Sequence, residues 1–271
     1  MTNVTRSSRR ISPFRLSLLI VVAVGIVFAG YASVLTDFLW FDQLGFSSVL
    51  ITQVVAQAAM FLAGFIVLGG VTGLSFAIAY RSRPIYLKFP DQNDPFGVYR
   101  QLIEQLRKGV MIGLPILLGI FGGVASISKW DVVLAWFNRT YTGEVDPQFG
   151  LDISFYFFDL PFLTAITTYA SATVLIAGLL AAFVHTVFGG IRFNGRRSSI
   201  TKAARIQVSV MAALYLAIQG VSLWLDQYKT MTNSSGLYTG ATYADVNAVI
   251  PGFQILALIA AVVAVLFLVA A

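Results

Sequence analysis

Between Tyr141 and Phe162 the sequence reads Y-T-G-E-V-D-P-Q-F-G-L-D-I-S-F-Y-F-F-D-L-P-F, which sets four carboxylates, Glu144, Asp146, Asp152 and Asp159, in one short aromatic stretch. Acids clustered in this way have the chemistry to hold a divalent cation or to serve as an acid and a base. They also have a structural use. Asp146 before Pro147 starts a turn, Gly150 permits a positive φ, and Asp159 two residues before Pro161 can cap a helix. No His, Cys or glycine-loop ligand spacing accompanies the acids, so the stretch predicts turns and caps, with no metal and no cofactor.

Two further acids, Asp37 and Asp42, fall in what reads as the first outer loop. Some many-spanning lipid-linked-sugar transferases place catalytic acids there, which keeps a membrane transferase open as the enzymatic alternative by analogy of architecture alone. His185 is the single histidine and reads as a hydrogen-bonded packing residue rather than a proton relay. The apolar runs carry Gln53, Gln57, Gln207, Gln219 and Gln254 but no Asp, Glu, Lys or Arg near a midplane, which argues against an ion-coupled transporter.

The elements that hold these residues follow from composition. The chain has 271 residues, 58% hydrophobic and 11% charged, with a mean hydropathy of +0.81. That is far below the roughly 25% charged residues of soluble domains, so the class is a polytopic, all-α membrane protein. The net charge of +6 sits in short clusters between apolar runs, as orientation signals do, which sets nucleic acid aside and names the lipid bilayer as the first partner. There is no cysteine, hence no disulfide, no thiolate chemistry and no sulfur ligand for zinc.

A basic tail, residues 1–15, precedes six predicted spans at about 16–35, 54–80, 109–127, 162–190, 203–225 and 252–271, which together make the transmembrane domain. The first apolar run reaches about 20 residues without a small-x-small exit, so it predicts an uncleaved span rather than a signal peptide. Gly69 and Gly73 in span two, and the pairs Gly109 with Gly113 and Gly119 with Gly123 in span three, predict close helix approaches. Val98–Lys108 and Trp130–Asn138 predict short helices on the membrane surface. The sixth run is apolar to Ala271 with no polar exit flank, from which we expect the natural polypeptide to continue.

Fifteen of the 18 basic residues fall on one side of this arrangement and Lys129, Arg139 and Lys229 on the other. The positive-inside rule then predicts a cytoplasmic N-terminus and puts the Tyr141–Phe162 stretch outside. All three outward-going helices end on a tryptophan followed by an acid: Trp40 with Asp42, Trp130 with Asp131, Trp224 with Asp226. An internal duplication would produce this, but amphipathic indoles at the headgroup level explain it without one.

The strings Leu39–Leu50, Asp146–Phe162, Trp224–Tyr228 and Tyr238–Ala248 together resemble uncharacterised protein family 0182, large bacterial multi-pass membrane proteins common in actinobacteria. The resemblance implies an N-terminal membrane domain followed by a further span and a large extracytoplasmic region, and it assigns no catalytic residue. The expectation is an envelope scaffold or interaction protein that contacts other envelope proteins, with the enzymatic reading left as an alternative. Transport or lipid handling is the alternative if the helices enclose a polar cavity, and a transferase if Asp37, Asp42 and Asp146 converge.

Overall fold

A computed structural model describes residues 13–84, 105, 107–194, 197–234 and 239–271. These residues form an all-α protein with seven α-helices: α1 (Pro13–Gln43), α2 (Ser47–Arg81), α3 (Arg107–Ile127), α4 (Trp130–Phe137), α5 (Leu160–Val187), α6 (Lys202–Lys229) and α7 (Ile250–Val269). All but the short α4 are long and apolar enough to cross a membrane. Most of Val98–Lys108, read above as a surface helix, lies outside the described residues.

The chain divides into two compact units, residues 1–55 and 56–271. In the first, α1 runs 31 residues, about 46 Å at 1.5 Å per residue, well beyond a hydrocarbon core of about 30 Å. Asp37 and Asp42 are therefore not in a loop: they sit in the last turns of α1. Hydropathy marks only the apolar part of the helix, whereas the backbone bonds continue through its polar end. The helix stops at Gly45, φ 73°. There the Phe46 amide donates to the Phe41 carbonyl (2.9 Å) and the Gly45 amide to the Asp42 carbonyl (3.0 Å), which together satisfy the terminal carbonyls. Trp224-Leu225-Asp226-Gln227, the string most like Trp40-Phe41-Asp42-Gln43, has no such stop, because α6 continues to Lys229.

In the second unit α2 and α3 cross backbone to backbone. A Cβ on Gly64 would collide with the Ser126 hydroxyl, one on Gly69 would lie 2.9 Å from the Pro115 carbonyl, and one on Gly123 2.6 Å from the Phe61 ring. A Cβ on Gly122 would lie 2.6 Å from both Leu68 Cβ and the Tyr169 hydroxyl. Of the two glycine pairs read from span three, Gly119 with Gly123 makes the approach, while Gly109 and Gly113 meet nothing within 4 Å. The Ser126 hydroxyl donates to the Met60 carbonyl (2.7 Å) and the Tyr169 hydroxyl of α5 to the Gly64 carbonyl (2.7 Å), so the crossing is bonded as well as packed.

Polar side chains tie the remaining helices. Gln207 of α6 donates from Nε2 to the Ser75 carbonyl (2.9 Å), the Ser75 hydroxyl donates to the Ala177 carbonyl (2.8 Å), and His185 Nε2 lies 2.9 Å from Gln207 Oε1. Because the Gln207 amide must turn its N–H toward Ser75, it offers only oxygen to His185, so Nε2 carries the proton. His185 is 1% exposed, held in packing beside the apolar cluster of Phe76, Tyr80, Val184 and Phe188.

Between α5 and α6, in the connection that the predicted spans leave between them, the chain forms an antiparallel pair, β1 (Ile191–Asn194) and β2 (Arg197–Ile200), in register Ile191 with Ile200. The glycine between the two short runs, Gly195, was the available signal for it. Both α5 and α7 are entered through one π-helical turn, Phe155–Asp159 and Asp245–Val249, each followed within two residues by proline, Pro161 and Pro251. Proline has no N–H and crowds the carbonyl four residues back, and the wider turn relieves that crowding while Leu160 and Ile250 bond five residues back instead.

Gly122→Ala should destabilise the purified protein by about 1–3 kcal/mol through overpacking. Gly113→Ala, with open space at its Cβ, should be neutral or stabilising by up to about 1 kcal/mol. Thermal unfolding of both variants checks the crossing; equal effects would contradict it.

Candidate functional site

The Tyr141–Phe162 stretch opens with a compact loop folded around two carboxylates. Val145 and Asp152 form an antiparallel bridge, closed by bonds from the Asp146 amide to the Leu151 carbonyl (2.9 Å) and the Ile153 amide to the Glu144 carbonyl (2.9 Å). Inside that closure Asp146 accepts from the Gln148 amide (2.9 Å) and the Phe149 amide (2.7 Å) on Oδ1. Its Oδ2 accepts from the Leu151 amide (3.0 Å) and the Tyr156 hydroxyl (2.8 Å). Gly150 makes the turn with φ 65°, a conformation costly for any residue with a Cβ.

Asp152 does the same for the neighbouring backbone. Its Oδ1 accepts from the Thr142 hydroxyl (3.0 Å), the Thr142 amide (3.2 Å) and the Ser154 amide (2.8 Å), and its Oδ2 from the Gly143 amide (2.8 Å). Helical structure begins at Ile153, so Asp152 is the residue that caps it, accepting from the amide two positions on. The sequence assigns that cap to Asp159, and here the structure differs: Asp159 lies within the helical run at φ −76°, ψ −45° and makes no cap bond. The helix starts seven residues earlier than the proline implies, because the π-helical turn carries it past Pro161. Asp159 Oδ1 instead accepts from the Trp136 indole N–H (2.9 Å), with Arg139 Nε at 3.8 Å. Trp136 stacks on Phe162 with ring centroids 4.1 Å apart, which docks α4 against the start of α5.

Electrostatics follow the same bonds. Burial works to raise the Asp146 pKa, yet the Phe149 amide, the Tyr156 hydroxyl and the Leu151 and Gln148 amides outweigh it and hold the carboxyl below the ordinary 3.8. The Ser154 side chain and amide, with the Gly143 and Thr142 amides behind them, hold Asp152 far below the usual carboxylate range. Both acids are thus anions with their lone pairs committed to local donors, an arrangement suited to fixing a loop and ill suited to accepting a substrate proton. Glu144 is exposed. Asp37 and Asp42 belong to the N-terminal unit, where the Ser47 hydroxyl donates to Asp42 Oδ1 (3.0 Å). Among the described residues no three His, Asp or Glu side chains are grouped to hold a metal ion.

Several working residues have no signal in sequence. Tyr156 reaches Asp146 across ten positions and Thr142 reaches Asp152 across ten, distances closed only by the Val145–Asp152 bridge. Tyr228 of α6 packs on Phe149 and Phe155, with ring centroids at 4.7 and 5.3 Å, and seats the loop on the helices.

Six apolar helices with a self-bonded loop between them define a multi-pass membrane protein. The chain belongs to the uncharacterised protein family UPF0182, whose profile matches residues 14–271. It is 45% identical to a UPF0182 protein of Clavibacter sepedonicus, covering all of this chain and 28% of that one. Identity is 46% with a UPF0182 protein of Leifsonia xyli, over 93% of this chain and 25% of the relative. It is 43% with one of an Arthrobacter species, over 94% and 25%. The chain thus spans about a quarter of the length of the curated relatives it matches. No solved structure matches it.

Asp146→Asn keeps one acceptor oxygen but turns an amide N–H₂ toward the donors on the other side, which should cost on the order of 1–3 kcal/mol. Gly150→Val should cost about 1–3 kcal/mol through backbone strain. Folded pKa values below the unfolded 3.8 mean that the unfolded chain binds more protons in acid. The stabilisation is therefore complete above about pH 4 and lost as pH falls through the folded values. Thermal midpoints against pH should drop below about pH 4 for the wild type and flatten for Asp146→Asn combined with Asp152→Asn; identical acid slopes would contradict the assignment.

Proposed function

We propose that this chain is the membrane part of a bacterial plasma-membrane scaffold, with its N-terminus cytoplasmic and Tyr141–Phe162 serving outside as a rigid platform for envelope proteins. The observation that carries this reading is the commitment of both central carboxylates to the loop's own donors. Asp146 and Asp152 each accept four hydrogen bonds from neighbouring residues, so their chemistry goes into shape. A loop fixed in this way presents Tyr141, Val145 and Phe157, 74%, 63% and 69% exposed, as apolar contact points. The cytoplasmic N-terminus rests on the partition of basic residues.

The full-length gene carrying Asp146→Asn or Asp152→Asn should complement a deletion strain in proportion to the protein that remains folded. Loss of complementation at unchanged stability would overturn the scaffold and favour an enzyme or metal site. In the same strain Asp94→Cys should be protected from an impermeant thiol reagent added outside, and labelling there would reverse the orientation.

A further inference from the structure

Among the described residues, one end of the second unit carries cations and no acid. There α2 finishes at Arg81, α5 finishes at Val187 and α6 begins at Lys202. The cluster of Phe76, Tyr80, Val184 and Phe188 packs the first two helices together, and the Gln207 amide, donating to the Ser75 carbonyl (2.9 Å), draws α6 against α2. Arg81, Arg192, Lys202 and Arg205 are exposed at this end. Every described Asp and Glu of the unit lies at the opposite end, from Asp131 in α4 to Asp245 before α7. The described ion pairs, Arg139 with Asp159 and Lys229 with Asp226, are made there too.

Helix length fixes the level at which these cations stand. α5 and α6 each run 28 residues, about 42 Å at 1.5 Å per residue, which matches a bilayer of about 40–45 Å counted with both headgroup layers and exceeds its hydrocarbon core of about 30 Å. The ends at Val187 and Lys202 therefore lie among headgroups. The strand pair closes the gap between them: the Thr201 amide donates to the Gly190 carbonyl (2.8 Å), and Ile191 pairs with Ile200. Ile200 is only two residues from Lys202, at most about 7 Å of chain, so the base of the pair shares that layer.

Directly paired residues share one face of a strand pair, and their chain neighbours take the other. Ile191 and Ile200 thus form an apolar face, with Ile200 54% exposed, and Arg192 falls on the opposite one. Arg192 Nε donates to the Gly189 carbonyl (3.2 Å), which holds the guanidinium at the base of the pair and leaves its terminal N–H groups for an outside acceptor. Lys202 and Arg205 are three positions apart in the first turn of α6 and share one side of it. A soluble anion would satisfy these cations and leave Ile200 in water. A zwitterionic headgroup would cover Ile200 but bring an ammonium to the cations. An anionic phospholipid meets both demands.

We propose that this end of the bundle docks anionic phospholipid, with the headgroup phosphate accepting from Arg192, Lys202 and Arg205 and with Ile200 seated among the first acyl carbons. The test uses the full chain reconstituted in phosphatidylcholine vesicles that carry a trace of spin-labelled phosphatidylglycerol or spin-labelled phosphatidylcholine. Electron paramagnetic resonance reads the motionally restricted fraction of each. Phosphatidylglycerol should be preferred roughly five-fold, the equivalent of about 1 kcal/mol. Salt at about 1 M, where the screening length falls to about 3 Å, should reduce that preference. Arg192→Gln, Lys202→Gln and Arg205→Gln should each lower it in part, and together they should bring the ratio close to one at an unchanged thermal midpoint. Lys129→Gln, exposed at the opposite end, should leave it as it was. Equal restriction of the two lipids in the wild type would overturn the proposal, as would a preference that survives the substitutions or falls equally in Lys129→Gln. So would displacement of phosphatidylglycerol by inorganic phosphate but not by chloride at the same ionic strength, because the cations would then hold a free anion.

Discussion

The Asp146 carboxylate, with three backbone amides and the Tyr156 hydroxyl donating to it, is the interaction on which the Tyr141–Phe162 stretch depends. A tight loop turns backbone N–H groups inward where its own carbonyls do not reach them, and an unpaired donor at a buried position costs as much as a lost hydrogen bond. One buried anion settles several of these debts at once and brings Phe149 and Tyr156 to one side of the turn. Tyr228 then has a surface to pack on, and the loop is seated on α6.

The same constraint acts more severely inside the spans, where no water can substitute for a missing partner. The answers there are helix-to-helix bonds by uncharged side chains: Ser126 to Met60, Tyr169 to Gly64, Gln207 to Ser75, Gln254 to Gln227. Two of the receiving carbonyls lie at the α2–α3 crossing, where glycine lets the backbones approach. Close approach and hydrogen bonding are thus one device, since a side chain on Gly64 or Gly122 would move the acceptor out of reach. The π-helical turns before Pro161 and Pro251 obey the constraint too, with Leu160 and Ile250 bonding where regular α geometry would crowd the proline ring.

What sequence reveals divides along the same physical line. Hydropathy and helical length depend on local composition, so six spanning helices and α4 could be read directly. Their ends could not: α1 extends to Gln43 because polar residues such as Asp37 continue a helix as well as apolar ones do. Gly119 and Gly123 were legible as a close approach, but nothing local separates them from Gly109 and Gly113, which the fold leaves in open space. In the Tyr141–Phe162 stretch the turn at Asp146 and Gly150 has local signals. The cap does not go to Asp159, because a proline marks where an ordinary helix would begin and a π-helical turn moves that beginning back to Ile153. The bonds from Tyr156 and Thr142 are products of tertiary closure and could not be read at all.

The most direct test of Asp146 as the organiser of the Tyr141–Phe162 stretch is a double-mutant cycle between Asp146→Asn and Tyr156→Phe, read by thermal unfolding of the purified protein. Each change alone should destabilise. The double variant should lose less than the sum by about 1 kcal/mol or more, because both remove the same charge-assisted bond. Strictly additive losses would mean that the carboxylate and the phenol act independently, and would contradict the account.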